Sequence, residues 1–226
     1  MSIRKTSFVE GCFCHVYNRG VEKSDIFLEE VDYKRFMYLL FVCNDTKPVL
    51  NSRTHYRGEA SIQEIVPRDK LVDIISFCLM SNHFHLVLRQ IKDKGISIFM
   101  QKLGTGYTMY FNVTRERSGP LFQGPFKAIH VDKQNYLDQV ITYVHLNPAD
   151  LIEPKWKESG IKNWQRTHNF VKEYVWSSYG DYLGIGKFRN IINLNLVQEL
   201  FGNFSDTTTK SFVERGVGYL KNYVIE

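Results

Sequence analysis

The sequence predicts an α+β layer, one antiparallel-dominated sheet with helices on one face. Four short segments rich in β-branched and aromatic residues have strand character, two of them joined by a tight turn. Between and after them lie three segments whose apolar residues recur at helical spacing. In order, these elements read β-α-β-β-α-β-α.

The first strand is VEGCFCHVYNR, which alternates loosely and ends at Asn18-Arg19-Gly20. A helix follows in EEVDYKRFMYLLFVCNDT, where Val31, Phe36, Leu39, Leu40 and Cys43 recur near helical spacing and Asn44-Asp45-Thr46 supplies a stop. Residues 47–70 turn polar and read as a surface insertion rather than a domain boundary. LVDIISFCLM and FHLVLRQ are two strands around a Ser81-Asn82 turn. Ile96, Phe99, Met100, Leu103, Tyr107, Tyr110 and Phe111 mark one face of a long amphipathic helix, a stripe best read as core packing. GPFKAIHV is the fourth strand, and KQNYLDQVITYVHLN a helix closed by Pro148. Beyond about residue 151, NLNLVQELFG and TTKSFVERGVGYL have helical stripes, and Gly202 can end the first.

A chain of 226 residues, 43% hydrophobic, can bury one sizeable core. Residues 1–150 are therefore expected to form the main domain, with 151–226 a helical extension packed on it. A formal charge of +5 permits nucleic acid as a partner without demanding it. Cys12, Cys14, Cys43 and Cys78 form no disulfide-like framework, and with no signal peptide they predict reduced thiols in a cytoplasmic protein. Cys12-x-Cys14-His15 has the wrong spacing for a zinc knuckle and no second pair follows, so strand alternation explains it better. No apolar run is long enough to span a bilayer, so no membrane partner is expected.

SNHFHLVLRQ places His83 and His85 on one face of a strand, with Phe84 on the other. By itself this pair is a metal site, a satisfied polar spot in a core, or a coincidence. In the last helix of the main domain, Leu137, Val140, Ile141 and Val144 form the stripe to be buried. Tyr143 and Asn147, at i and i+4, stack on one shoulder of that stripe, roughly 40° apart. There a tyrosine hydroxyl is expected to face a cleft at the edge of the core. His145, on the opposite shoulder, is the weaker candidate. Read from spacing alone, Tyr143 is better explained as a half-buried core aromatic and Asn147 as a C-terminal cap.

Five blocks, HVYNRGVEKSDIF, CLMSNHFHLVL, GPLFQGPFKAIHV, YLDQVITYVHLNPADL and YVWSSYGDYLG, occur in this order. Together they resemble the single-tyrosine HUH transposases, particularly the REP-associated tyrosine transposase branch, over roughly residues 9–185. The resemblance implies a ferredoxin-like (RRM-like) sheet, which agrees with the element order read independently. It implies that His83 and His85 ligate a divalent metal, usually Mg²⁺ or Mn²⁺, that Tyr143 is the nucleophile and that Asn147 completes the metal site. It makes residues 1–150 the catalytic domain. The chain departs from the family at Pro125, often Arg, and in NPADLI, often NPVRAG; both bear on DNA preference.

The implied reaction is transesterification of single-stranded, hairpin-associated DNA through a 5′-phosphotyrosine. Tyrosine suits this role because its pKa of about 10 makes it both a usable nucleophile and a leaving group. Two neutral imidazoles and an amide oxygen leave a metal's charge largely uncompensated, and Mn²⁺ is expected to serve well in such a site. Arg19, Lys102, Arg115, Arg117 and Lys127 are the candidate phosphate contacts, each also readable as a solvated charge. The alternative reading is a domesticated binder of hairpin DNA without transposition activity. The resemblance leaves homodimer and monomer equally open.

Overall fold

In a computed structural model, the structure describes residues 8–49, 68–131, 134–202 and 209. Four strands, β1 (Phe13–Arg19), β2 (Val72–Met80), β3 (His83–Gln90) and β4 (Lys127–His130), form one sheet in the order β2-β3-β1-β4. Every pairing is antiparallel. Helices α1 (Glu30–Val42) and α2 (Gly95–Thr114) make the two crossovers and α3 (Gln134–Leu146) follows β4, which is the predicted α+β order. The polar segment 47–70 falls mostly outside the described residues, as does all of 208–220 except residue 209.

Period-two alternation divides the core between the two sheet faces. Cys14, Val16, Phe84, Leu86 and Leu88 pack toward α1 and α2, against Phe36, Leu39, Phe99, Leu103 and Tyr107. Asp32, fully buried at the first turn of α1, accepts from the backbone N–H groups of Leu28 and Glu29 and from the Tyr110 hydroxyl, and pairs with Arg115 at 3.0 Å. This carboxylate caps α1 and ties it to the far end of α2.

The prediction of helices on one face holds for α1 and α2 but not for α3, which lies on the opposite face. Ile75, Cys78, Met80 and Val87 pack there against Leu137, Val140, Ile141 and Val144, the stripe expected from the sequence. After a 3-10 turn at Asn147–Leu151, helices α4 (Trp156–Ser159), α5 (Trp164–Glu173), α6 (Tyr179–Tyr182) and α7 (Leu194–Phe201) cover this second face. Trp156, Val171, Tyr179, Leu196 and Val197 belong to the same core as α3. With both faces covered, all nine residues of β2 are buried, which explains its nearly unbroken apolar sequence.

The extension also closes the sheet's edge. Leu79 N–H donates to Trp176 O at 2.9 Å and Ser178 N–H to Phe77 O at 3.0 Å, with an antiparallel bridge from Cys78 to Ser177. The hydroxyls of Tyr174 and Tyr182 donate to Leu79 O and Ile75 O. Unpaired groups of β2 that would otherwise template another strand are thereby satisfied. Among the described residues, no helix is long and apolar enough to cross a membrane.

Candidate active site

The β1–β3 register builds the site floor. Tyr17 lies opposite His85 and Arg19 opposite His83. Alternation sends His15, Tyr17, His83 and His85 to the face that carries α3. The turn beside them is held by Gly20, where a Cβ would overlap the Ser24 carbonyl oxygen, so only glycine lets the chain turn this tightly. Gly20 N–H donates to Asn82 O at 2.9 Å, which fixes the β2–β3 turn against the end of β1.

Both predicted histidines have their Nδ1 occupied. His83 Nδ1 lies 2.6 Å from Asn82 Oδ1, an atom that can only accept, so Nδ1 carries the proton. His85 Nδ1 lies 2.8 Å from His15 Nε2. His85 Nε2 is buried with no hydrogen-bond partner, and His83 Nε2 stands 3.4 Å from Asn147 Oδ1. Outer-ring bonds of this kind are what turn Nε2 of a metal-ligating histidine toward an ion.

Burial keeps these imidazoles neutral. It pushes the pKa of His15 down to about 3 and that of His83 down to about 4, where the facing Arg19 charge adds to the effect. His85 is also held well below its ordinary value, first by burial and then by His15 and His83. Neutral rings offer lone pairs at neutral pH, as ligation requires.

Above the histidines sits Tyr143. Its ring is 5.6 Å from that of His85 and perpendicular to it, and 6.1 Å from that of His15. Its buried hydroxyl has no well-formed hydrogen bond among the described residues, although the Asn147 and Lys157 side chains lie near enough to favour its ionised form. Asn147 Nδ2 donates to Tyr143 O at 3.2 Å, so the predicted i, i+4 pair is joined through the backbone. The expected half-open shoulder is instead fully buried, because α4 packs over it. Trp156 lies 6.3 Å from the Tyr143 ring, and the Lys157 ammonium stands 5.4 Å from its centroid. Burial raises the tyrosine pKa, and the Lys157 charge pulls it back. The other shoulder is closed as well, since His145 is hydrogen-bonded to Ser178 Oγ at 2.9 Å.

The five candidate phosphate contacts separate. Arg19 and Lys127 line a cavity of about 180 Å³ with Tyr17, Asn18, Gln123 and Pro125, beside His83. Pro125, the position of the family departure, is therefore in this cleft. Lys102 donates to the carbonyls of Asp45 and Lys47, Arg115 pairs with Asp32 and Glu29, and Arg117 donates to Pro120 O. Lys102 and Arg115 thus join α1 and α2 on the opposite face. A larger cavity of about 480 Å³, lined by Phe84, Met100, Phe122 and Phe126, also lies on that side and offers no ionisable group.

Sequence reasoning missed His15 and Lys157. Alternation alone would have put His15 on the face of Tyr17, but pairing it with His85 requires the β1–β3 register. Lys157 has no local signal.

The structure is thus an α+β protein whose four-stranded antiparallel sheet presents His83 and His85 toward Tyr143 on α3. The chain belongs to the IS200-like transposase family, whose description, "Transposase IS200 like", matches residues 33–147. That span contains His83, His85, Tyr143 and Asn147. Among solved structures, the chain is similar to a REP-associated tyrosine transposase bound to a REP hairpin. The two share 12% identity and a TM-score of 0.51, over 81% of this chain and 86% of that one, which is a likeness of fold. A tRNA(His) guanylyltransferase from Saccharomyces cerevisiae gives a weaker likeness, 10% identical with a TM-score of 0.35 over 92% of this chain and 86% of that one, and carries no argument here. Comparison with curated proteins gives no match.

Proposed function

We propose that this chain is a metal-dependent single-stranded DNA transesterase that cleaves and rejoins hairpin-associated DNA, as a REP-associated tyrosine transposase would. The observation that supports this reading best is the convergence of an unpartnered tyrosine hydroxyl with an unpartnered histidine Nε2 inside one buried site. Buried polar atoms without partners are costly, and their clustering suits a group that binds between them.

His83, His85 and Asn147 would hold a divalent ion, Mg²⁺ or Mn²⁺, which when bound supplies Lewis-acid polarisation of a phosphate. Their orphaned nitrogen and amide oxygen fit such an ion chemically. Tyr143 gives up its proton and its oxygen forms a bond to phosphorus, while the bond from phosphorus to the 3′ oxygen breaks. The 3′ oxygen takes a proton and leaves as a hydroxyl, and the 5′ phosphate stays on Tyr143. Resealing runs the same steps backward. One phosphodiester replaces another, so no nucleotide hydrolysis is required. Lys157 favours the tyrosinate, and Arg19 and Lys127 would steer the strand along the cleft. DNA reaches Tyr143 only when α4 moves off it.

Incubation with labelled single-stranded hairpin DNA and Mn²⁺ should give a covalent adduct on a denaturing gel. Tyr143→Phe should abolish it, and so should chelator. An adduct that survives Tyr143→Phe removes the nucleophile assignment. Hairpin binding without any adduct would favour the domesticated binder.

A further inference from the structure

A second cluster of ligand atoms lies on the other face of β1. Cys12, just before the strand, and Cys14 within it point to the same side. His130 on β4 is paired directly with Cys14. Cys12 Sγ and Cys14 Sγ are 4.0 Å apart, and Cys14 Sγ is 3.9 Å from His130 Nδ1. All three ligand atoms lie within 4.8 Å of one another. His15, the sequence neighbour of Cys14, points to the opposite face and takes no part.

We propose that Cys12, Cys14 and His130 bind a thiophilic divalent ion, Zn²⁺ in the cell, with water or another ligand in the fourth position. Zinc bonds of about 2.3 Å to sulfur and 2.0–2.1 Å to nitrogen in a tetrahedron set ligand separations of about 3.8 Å between sulfurs and 3.6 Å from sulfur to nitrogen. The two measured separations exceed those edges by only a few tenths of an ångström. A disulfide fits less well. The two sulfurs stand 4.0 Å apart, well beyond the about 2.03–2.05 Å of a disulfide bond. Two thiolates and an imidazole form a soft donor set, unlike the nitrogen and oxygen set of the proposed catalytic site, so the two faces of β1 would select different metals. Cys12 and His130 are half-buried, which leaves the ion an entry path.

The site has a structural consequence. β4 is four residues long and, among the described residues, pairs only with β1. His130 is its last residue, and α3, with Tyr143, begins at Gln134. An ion shared by Cys12, Cys14 and His130 fastens the edge strand at the point where the chain leaves for the tyrosine helix.

Cobalt tests this without reference to DNA. Reduced full-length protein titrated with Co²⁺ should develop a thiolate-to-cobalt charge-transfer band, which Zn²⁺ then removes. The band should disappear in Cys12→Ser, a half-buried position that tolerates the change. His130→Ala should weaken Co²⁺ binding at least about tenfold, since even partners outside the first coordination sphere are worth that much. It should persist in His83→Ala, because His83 points to the opposite face of the sheet and is no part of this cluster. Absence of the band in the reduced, folded wild-type chain overturns the proposal, as does a band that survives both Cys12→Ser and His130→Ala.

Discussion

His15 Nε2 and His85 Nδ1 face each other at 2.8 Å across the β1–β3 ladder. One of the two nitrogens carries the shared proton. When it rests on His85 Nδ1, His85 Nε2 keeps a free lone pair in the buried site it shares with Tyr143. His15 thereby sets the tautomer of a residue expected to hold metal, a role that needs an acceptor at that position.

Replacing His15 with Phe should therefore lower Mn²⁺ affinity by about 10–100-fold while leaving the fold intact. His15→Gln, which keeps an acceptor, should recover part of the loss. Calorimetric titration with Mn²⁺ reads both. Equal affinity in folded His15→Phe and wild type would remove His15 from the site.

Lys157 should act on the proposed nucleophile, Tyr143, through charge. Burial raises the Tyr143 pKa and the Lys157 ammonium opposes that rise, so tyrosinate becomes more abundant as pH increases and less abundant without the lysine. The rate of adduct formation should climb with pH through the neutral range. Lys157→Ala should displace that profile to higher pH and slow the neutral rate severalfold, while Lys157→Arg keeps it nearly in place. A profile unmoved by Lys157→Ala would refute the coupling.

Arg19 and Lys102 should differ in their effect on DNA affinity. Arg19 faces His83 across the sheet, and its buried Nε has no hydrogen-bond partner. Lys102 is committed to the carbonyls of Asp45 and Lys47. Arg19→Ala should weaken binding of single-stranded DNA and reduce the magnitude of the salt slope by roughly 0.7, the value for one phosphate contact on a single strand. Lys102→Ala should leave the slope unchanged. Fluorescence anisotropy across a salt series measures both, and equal slopes for Arg19→Ala and wild type would exclude Arg19 as a phosphate contact.

Mild acid should destabilise the fold. His15 and His145 have pKa values lowered from 6.5 to about 3, and His83 to about 4. The unfolded chain takes up these protons near pH 6.5 and the folded chain does not, so stability falls as pH drops below 6.5 toward the folded values. Each such histidine costs about 1.4 kcal/mol per pH unit in that window. Asp181 works in the other direction, because its pKa is raised from 3.8 to about 6 and it favours the fold as pH falls between those values. Several histidines outweigh one carboxyl. The urea midpoint should be clearly lower at pH 5 than at pH 7, and an unchanged midpoint would contradict the burial of these imidazoles.

What could be read in the sequence was what local periodicity encodes. The alternation of β3 puts His83 and His85 on one face, and the helical period of α3 joins Tyr143 to Asn147. The long stripe of α2 is buried as expected, with Ile96, Phe99, Met100, Leu103, Tyr107 and Phe111 in the core. What could not be read depends on segments distant in the chain. Tyr143 is closed in by Trp156 and Lys157, and no pattern within α3 reveals that cover. Cys14 meets His130 across 116 positions, a proximity set by the β1–β4 register. Arg115 looks like a free cation in sequence, but Asp32, 83 positions earlier, binds it.

The strip of chain from Trp176 to Ser178 that borders β2 imposes an order on synthesis. Phe77 N–H waits 101 positions for Ser178 Oγ. While the ribosome is still adding those residues, β2 has emerged with an open flank and its apolar side chains exposed. Pairings this distant in sequence form slowly, and nascent chains in that state associate readily. The last third of the described chain is thus the step that ends a vulnerable interval, and chains cut short before residue 176 would be prone to aggregate.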